Sequence, residues 1–323
     1  MARHAVILVI GTTNHHSQLT YDRAHAMLPA LGKPLVVRIM ARLYRIGIRK
    51  YTVIVGTNEG AVAAYLSSQW MPDVEIEFIL KPNNESLFQL LRKIALKHKE
   101  PFLLCSYNSF THTHFPERLL KLHTENPDLL VLGAANNTLS NSHQHYYTVM
   151  KGDKVTDITK LPQPGQQSFT LTDFMVFGCD VIKYLVGDHG DPNRHEFNWQ
   201  VMDIARQYIR SGKEGIVAET SWILQVEADR DLITLNKHLL DEAHDAHILS
   251  ELPYTVEITA PVRIDPQVSV GQGAKIGPHV YLERGCSVGH DAVILNSIIL
   301  EHSVVPSGKT IMNTIITQRG PIQ

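Results

Sequence analysis

Residues 256–300 read VEITAPVRIDPQVSVGQGAKIGPHVYLERGCSVGHDAVILNSIIL, and in them Ile258, Ile264, Val270, Ile276, Leu282, Val288, Ile294 and Leu300 recur at a spacing of six. A helix repeats near 3.6 residues and a strand at two, so neither element alone produces this period. A second apolar set, Val256, Val262, Val268, Ala274, Val280, Cys286, Ala292 and Ile298, stands two residues ahead of each aliphatic. A two-sheet sandwich would need period-two alternation and hairpin turns, and the stretch has neither. The rest of the 323 residues leave room for another domain, at about 100–200 residues each, and 44% hydrophobic content excludes a disordered chain. Thirty Lys and Arg against 32 Asp and Glu give a formal charge of -2, so no whole-chain field draws nucleic acid or an acidic membrane surface. Cys105, Cys179 and Cys286 are far apart, without a C-x-x-C pair, which argues against a disulfide framework or a structural zinc site and for a reducing, cytoplasmic setting. Ala5 to Ile10 is too short for a membrane helix and reads as a buried first strand.

The six-residue period resembles the hexapeptide repeat of the left-handed parallel β-helix, in which three hexapeptides make one triangular coil with its aliphatics inside. Residues 256–304 would supply roughly three coils. Upstream, strand-like runs alternate with helical patterns, the signature of βαβ units around a largely parallel sheet. Strands are expected at 5–10, 51–55, 75–80, 101–105, 128–133, 146–151, 170–177 and 214–218, with helices over 34–46, 60–69, 86–98, 115–124 and 198–211. The predicted fold is α/β: a doubly wound, Rossmann-like domain over 1–235, a connecting helix and linker over 236–253, and a left-handed β-helix over 254–323.

Ligands of an open α/β sheet bind at the carboxyl ends of its strands, so the loop after the first strand carries most weight. From Ile10 it reads IGTTNHHSQLTYDRAHAMLPALGKPL, and the helix after it ends at Gly47-Ile48. With Leu28-Pro29, Gly32-Lys33-Pro34-Leu35 and Gly47-Ile48 at matching spacing, the chain resembles the nucleotidyltransferases that make sugar nucleotides or CDP-choline from an NTP and a phosphate monoester. The resemblance places Gly11, Thr12 and Thr13 in the phosphate loop, His15 where the family has an arginine, and His25 where it has a second catalytic cation. It also places Lys81, Ser86, Leu87 and Phe88 in the base-recognition segment, although helical spacing with Leu91 and Ala95 gives Phe88 a plain core role as well. Asn108 and Gln225 fall where the family has metal-binding aspartates, and Leu161 where a lysine meets the sugar phosphate.

Nucleotidyl transfer builds negative charge on the α-phosphate and the leaving pyrophosphate, and fixed cations with close backbone N–H groups stabilise it. Thr13 in place of glycine puts a Cβ there, and a histidine near its ordinary pKa is mostly neutral at pH 7. Mg²⁺ takes one or two carboxylates beside phosphate oxygens, and two amides leave its charge uncompensated. The expectation is a retained fold with lost catalysis. No cofactor is expected, and the chain would bind a nucleotide, a nucleotide sugar or a partner subunit, as a homo-oligomer or with an active homologue. An active enzyme using Mg²⁺, with His15, His16, Arg23 or Lys33 as substitute cations, is the alternative. A hexapeptide acyltransferase using His279, His290 or His302 is a remote one. Among the 18 histidines, His15-His16, His112-x-His114 and His143-x-His145 each offer half of a metal site, and solvated loop histidines are the simpler reading. Cys105, at the end of an apolar run, reads as a packed core thiol.

Overall fold

The structure, a computed structural model, describes residues 2–10, 17–21, 23–69, 71, 73–139, 145–163, 167–187, 200–242 and 247–322. In chain order the elements are β1 (His4–Val9), β2 (Pro29–Ala30), β3 (Lys33–Pro34), α1 (Leu35–Arg45), β4 (Lys50–Gly56), α2 (Gly60–Gln69), β5 (Glu75–Lys81), α3 (Leu87–His98), β6 (Phe102–Ser106), β7 (Ser109–Thr111), α4 (Phe115–Glu125), β8 (Leu130–Ala135), β9 (Tyr147–Lys151), β10 (Lys154–Thr159), β11 (Thr170–Phe177), α5 (Cys179–Val186), α6 (Val201–Arg210), β12 (Gly215–Thr220), β13 (Ile223–Gln225) and α7 (Asp229–Asp241). Short strands follow from Glu257 to Ile322. By contact the chain divides into two units, one of residues 1–13 and 39–225, the other of residues 14–38 and 226–323. No described helix is long and apolar enough to cross a membrane.

The first unit is built on a nine-stranded sheet of order β5-β4-β1-β6-β11-β8-β12-β10-β9. All six residues of β1 are buried, as expected of a central parallel strand covered on both faces. The chain runs outward from β1 to β4 and β5, then returns to the other side of β1 for β6, all parallel. That reversal makes the β1–β6 boundary the topological switch point. The sheet is mixed rather than largely parallel, because β11 lies antiparallel between β6 and β8. The β9–β10 hairpin, turning at Gly152 with φ +60°, reverses the chain before β11 enters. Along β11, Met175 and Phe177 face the core shared with α3, α5 and α6, while Phe174 points the other way and meets Phe115 of α4 edge-on at 6.2 Å. Helices therefore cover both faces. The sequence pattern missed β10 and α5.

In the second unit, strands pair in parallel with strands one coil later, forming three ladders. Ile258 pairs with Ile276, Ile264 with Leu282, and Val270 with Val288, each 18 residues apart as three hexapeptides require. The period then slips. Leu282 pairs with Ile299, Val288 with Val305, and Ile294 with Ile311, each 17 apart. The turn after Ile294 is thus one residue short, with Asn296 at φ +45°, and Ile299 takes the inward position that the strict period assigned to Leu300. Each inward aliphatic contributes about 1.5–3 kcal/mol by burial, which favours a short corner over an outward-facing isoleucine. The coils run on to Thr317, and Gly320–Ile322 folds back antiparallel on Ile315–Thr317. Ile298, Ile299 and Val305 are consequently buried.

Candidate ligand site

At the switch point β1 runs into Ile10, and Gly11, Thr12, Thr13 and His15 lie outside the described residues, as do His16 and His143. β6 ends at Ser106, and the Tyr107 amide donates to the Leu8 carbonyl at 3.1 Å, holding the 107–108 turn beside the end of β1. β7 follows directly and pairs antiparallel with β13, with Gln225 opposite Ser109. This ladder sets Gln225 at the same strand end as Asn108, one position from it in register though far apart in sequence. Asn108 is 3% exposed, so its amide belongs to the protein interior rather than to solvent. Beside them the Ser109 and Thr172 hydroxyls share a hydrogen bond of 2.7 Å, and the Ser106 hydroxyl donates to Asp173 Oδ2 at 2.8 Å. Asp173, on β11, went unnoticed in the sequence because its strand follows no motif. It puts a carboxylate at the end of β6.

Ser86 is the N-cap of α3: its Oγ accepts from the Gln89 amide at 3.2 Å, and the Gln89 side chain accepts from the Ser86 amide at 3.3 Å, a capping box. Leu87 and Phe88 are buried in the core shared with α5 and α6, where the Phe88 ring meets Tyr184 edge-on at 6.4 Å. Lys81 ends β5 and is half-buried, and Leu161 is 76% exposed beyond β10.

Residues 258–323 match the family model of the GMPPB C-terminal domain. Solved structures are similar to this chain at low identity. A Bacillus anthracis protein assigned as a glucose-1-phosphate thymidylyltransferase, solved with sucrose, has TM-score 0.60 and 17% identity over 72% of this chain and 93% of its own. The inositol-1-phosphate CTP transferase of T. maritima has TM-score 0.59 and 15% identity over 73% and 96%. An apo UDP-glucose pyrophosphorylase has TM-score 0.61 and 13% identity over 75% and 100%. No curated protein matches the sequence. The chain has the fold of the sugar-phosphate nucleotidyltransferases.

In this nucleotidyltransferase fold the remaining motif residues fall in the second unit. His25 opens a single 3-10 turn, is 8% exposed, and burial depresses its pKa to about 4 against a smaller opposing pull from Asp229. Its imidazole is neutral at pH 7. Lys33 lies half-buried in the β2–β3 hairpin. That hairpin is fixed within its own unit: the Leu31 amide donates to Asn236 Oδ1 at 2.9 Å, the Gly32 amide to the Tyr281 hydroxyl at 3.0 Å, and Arg38 donates to the carbonyls of Ala30 and Leu31 at 2.8 and 3.0 Å. The donors at positions 108 and 225 do not fit Mg²⁺, because both are amides, one of them buried. His112 and His114 stand side by side, ring centroids 5.7 Å apart, but join no three-ligand cluster among the described residues. Cys105 is wholly buried, and burial pushes its thiol well above the ordinary range.

Proposed function

We propose that this protein is a catalytically degenerate nucleotidyltransferase that binds a nucleotide, a nucleotide sugar or a partner subunit at the β1–β6 strand ends without turning it over. The observation that supports the reading is the β7–β13 ladder, whose register puts Gln225 opposite Ser109 and so one position from Asn108; the resemblance expects metal carboxylates at 108 and 225, and both are amides. His25, where the resemblance expects a catalytic cation, is buried with its pKa lowered to about 4, which supports the reading independently of where the units sit. In the same reading the coils form a left-handed β-helix, and the chain works in the cytoplasm, without a cofactor, as a homo-oligomer or with an active homologue.

The test is pyrophosphate release from the full chain with each NTP paired with sugar 1-phosphates or phosphocholine, alongside a thermal-shift screen of nucleotides and nucleotide sugars. Losing one charge-stabilising group commonly lowers the rate by about 10²–10³, and several together leave little above background. The expected result is no release and a raised Tm with at least one ligand, by mass action. Release at ordinary pyrophosphorylase rates would refute the reading. A chain that binds no small molecule leaves the partner subunit, recovered by co-purification from the source cell, as the ligand.

A further inference from the structure

The opposite end of the same sheet carries a cluster that no motif in the sequence marks. His4, the first residue of β1, is wholly buried, and its Nε2 lies 2.8 Å from Thr52 Oγ1 on the neighbouring β4. Its Nδ1 is buried with no hydrogen-bond partner among the described residues. His98, the last residue of α3, sets its ring edge-on to His4 with centroids 4.6 Å apart, and its Nε2 is also buried without a hydrogen-bond partner. Glu100, two residues on, has Oε1 at 3.9 Å from His4 Nδ1 and at 2.8 Å from Lys50 Nζ. One ligand atom from each of His4, His98 and Glu100 lies within 4.8 Å of the others.

An imidazole that gives its Nε2 hydrogen to a threonine oxygen carries its lone pair on Nδ1, and among the described residues no donor meets that pair on His4. That nitrogen, with His98 Nε2 and one carboxylate, makes a donor set suited to a borderline transition metal rather than to Mg²⁺ or Ca²⁺, which prefer oxygen. A tetrahedral ion with bonds of about 2.0–2.2 Å holds its ligand atoms roughly 3.3–3.6 Å apart. The observed spacing closes to that by rotation of Glu100, whose side chain is 44% exposed, and by small shifts of the His98 ring. Glu100 has a second oxygen to offer while Lys50 keeps the first. Glu77 Oε2, 3.4 Å from His98 Nε2, adds negative charge beside the site.

We propose that His4 Nδ1, His98 Nε2 and the Glu100 carboxylate bind a divalent transition-metal ion of the zinc class, with water as the fourth ligand. The ion would tie the start of β1 to the end of α3 and the turn into β6. Its role is structural, since it sits at the amino ends of the strands and the ligand site lies at their carboxyl ends.

The experiment uses the full chain without a histidine tag, stripped with EDTA and dialysed. Zn²⁺ is titrated calorimetrically and by thermal shift, with Co²⁺ as the spectroscopic probe. The expected result is one equivalent bound, a raised Tm reversed by EDTA, and Co²⁺ bands of a four-coordinate nitrogen and oxygen site. His98→Ala and Glu100→Gln should each weaken binding at least tenfold, whereas a His112→Ala and His114→Ala double variant should bind as the wild type does. Glu100 is exposed enough for its variant to fold even where His98→Ala does not. Absence of binding at 100 µM Zn²⁺ overturns the proposal, as does undiminished binding by either single variant or loss of binding in the double variant.

Discussion

His25 stands where the resemblance calls for a catalytic cation, and its charge state can be read from stability. The unfolded chain protonates this ring near pH 6.5, the folded chain only near pH 4, because charging it means charging a buried group. A pKa depressed on folding stabilises the native state above the unfolded value, and that contribution is lost as pH falls toward the folded value. Between pH 6.5 and pH 5 the loss is about 1.5 units at about 1.36 kcal/mol each, or about 2 kcal/mol. Little solvent screening reduces it, because the side chain is 8% exposed. His25→Gln removes the titration, so urea unfolding at pH 7 and pH 5 should show a fall in stability smaller by about 2 kcal/mol in the variant than in the wild type. Both measurements are made in EDTA. His4, whose pKa burial also lowers to about 4, contributes to both proteins and cancels. Equal falls would mean that His25 titrates normally, and a proton-bearing His25 at neutral pH would return a cation to the loop and undercut the argument for lost catalysis.

Asn108→Asp combined with Gln225→Asp should create two neighbouring carboxylates that repel each other, lowering Tm in EDTA and recovering it in millimolar Mn²⁺, while the wild type shows no such recovery at these positions. Equal metal responses in the two proteins would show that the residues do not stand at a metal site. Arg23 reaches Glu283 at 2.9 Å and Glu301 at 3.4 Å, and Glu283 is so enclosed that burial raises its pKa despite the guanidinium. Arg23→Ala should destabilise the second unit by about 2–4 kcal/mol, and adding Glu283→Gln should recover part of this, since the larger penalty is the carboxylate left unpaired. Strictly additive effects in that cycle would rule out the pairing. A Cβ on Gly277, at φ +104°, would stand 1.9 Å from the Thr259 carbonyl oxygen, whereas one on Gly308, at φ +68°, meets nothing within 4 Å. Gly277→Ala should therefore lower Tm several-fold more than Gly308→Ala, and similar losses would mean that the coils do not stack in the observed register.

Features that repeat along the chain were legible in the sequence, and features that depend on distant contacts were not. The six-residue period located the coils because every turn solves the same packing problem. It failed at Ile294–Ile299, where a five-residue corner preserves the inward pattern while changing the count. The parallel βαβ half was readable from apolar runs such as HAVILV in β1, since a strand buried on both faces has no polar alternation. The antiparallel entry of β11 was hidden, because strand direction in a mixed sheet is set by the hairpin before it rather than by composition. At the site, motif spacing singles out Asn108 and Gln225, and the β7–β13 ladder sets Gln225 opposite Ser109, the residue after Asn108. Asp173 and the pair His4 and His98 carried no local pattern and meet only in the folded chain.

The motif's two halves answer to different forces. Leu28-Pro29 and Gly32-Lys33-Pro34-Leu35, which match the nucleotidyltransferase pattern, are occupied by structural work. The Leu28 carbonyl accepts from the Leu35 amide at 3.0 Å, Asn236 Nδ2 donates to the Pro29 carbonyl at 3.4 Å, and Gly32 turns at φ +76° with its amide on the Tyr281 hydroxyl. That hydroxyl in turn donates to Asp265 Oδ2 at 2.7 Å, and Asp265 accepts from Arg263 at 2.8 Å. Breaking such a buried network leaves polar groups unsatisfied, so folding alone gives these residues a reason to be there. Thr13, His15, Asn108, Gln225 and Leu161 stand at positions that the pattern fills for phosphate, metal or sugar, and Leu161, 76% exposed, shows how little packing constrains one of them. In the proposed reading the matching half of the motif is the half that packing holds, while Leu161, which packing leaves free, and the buried Asn108 depart from the pattern.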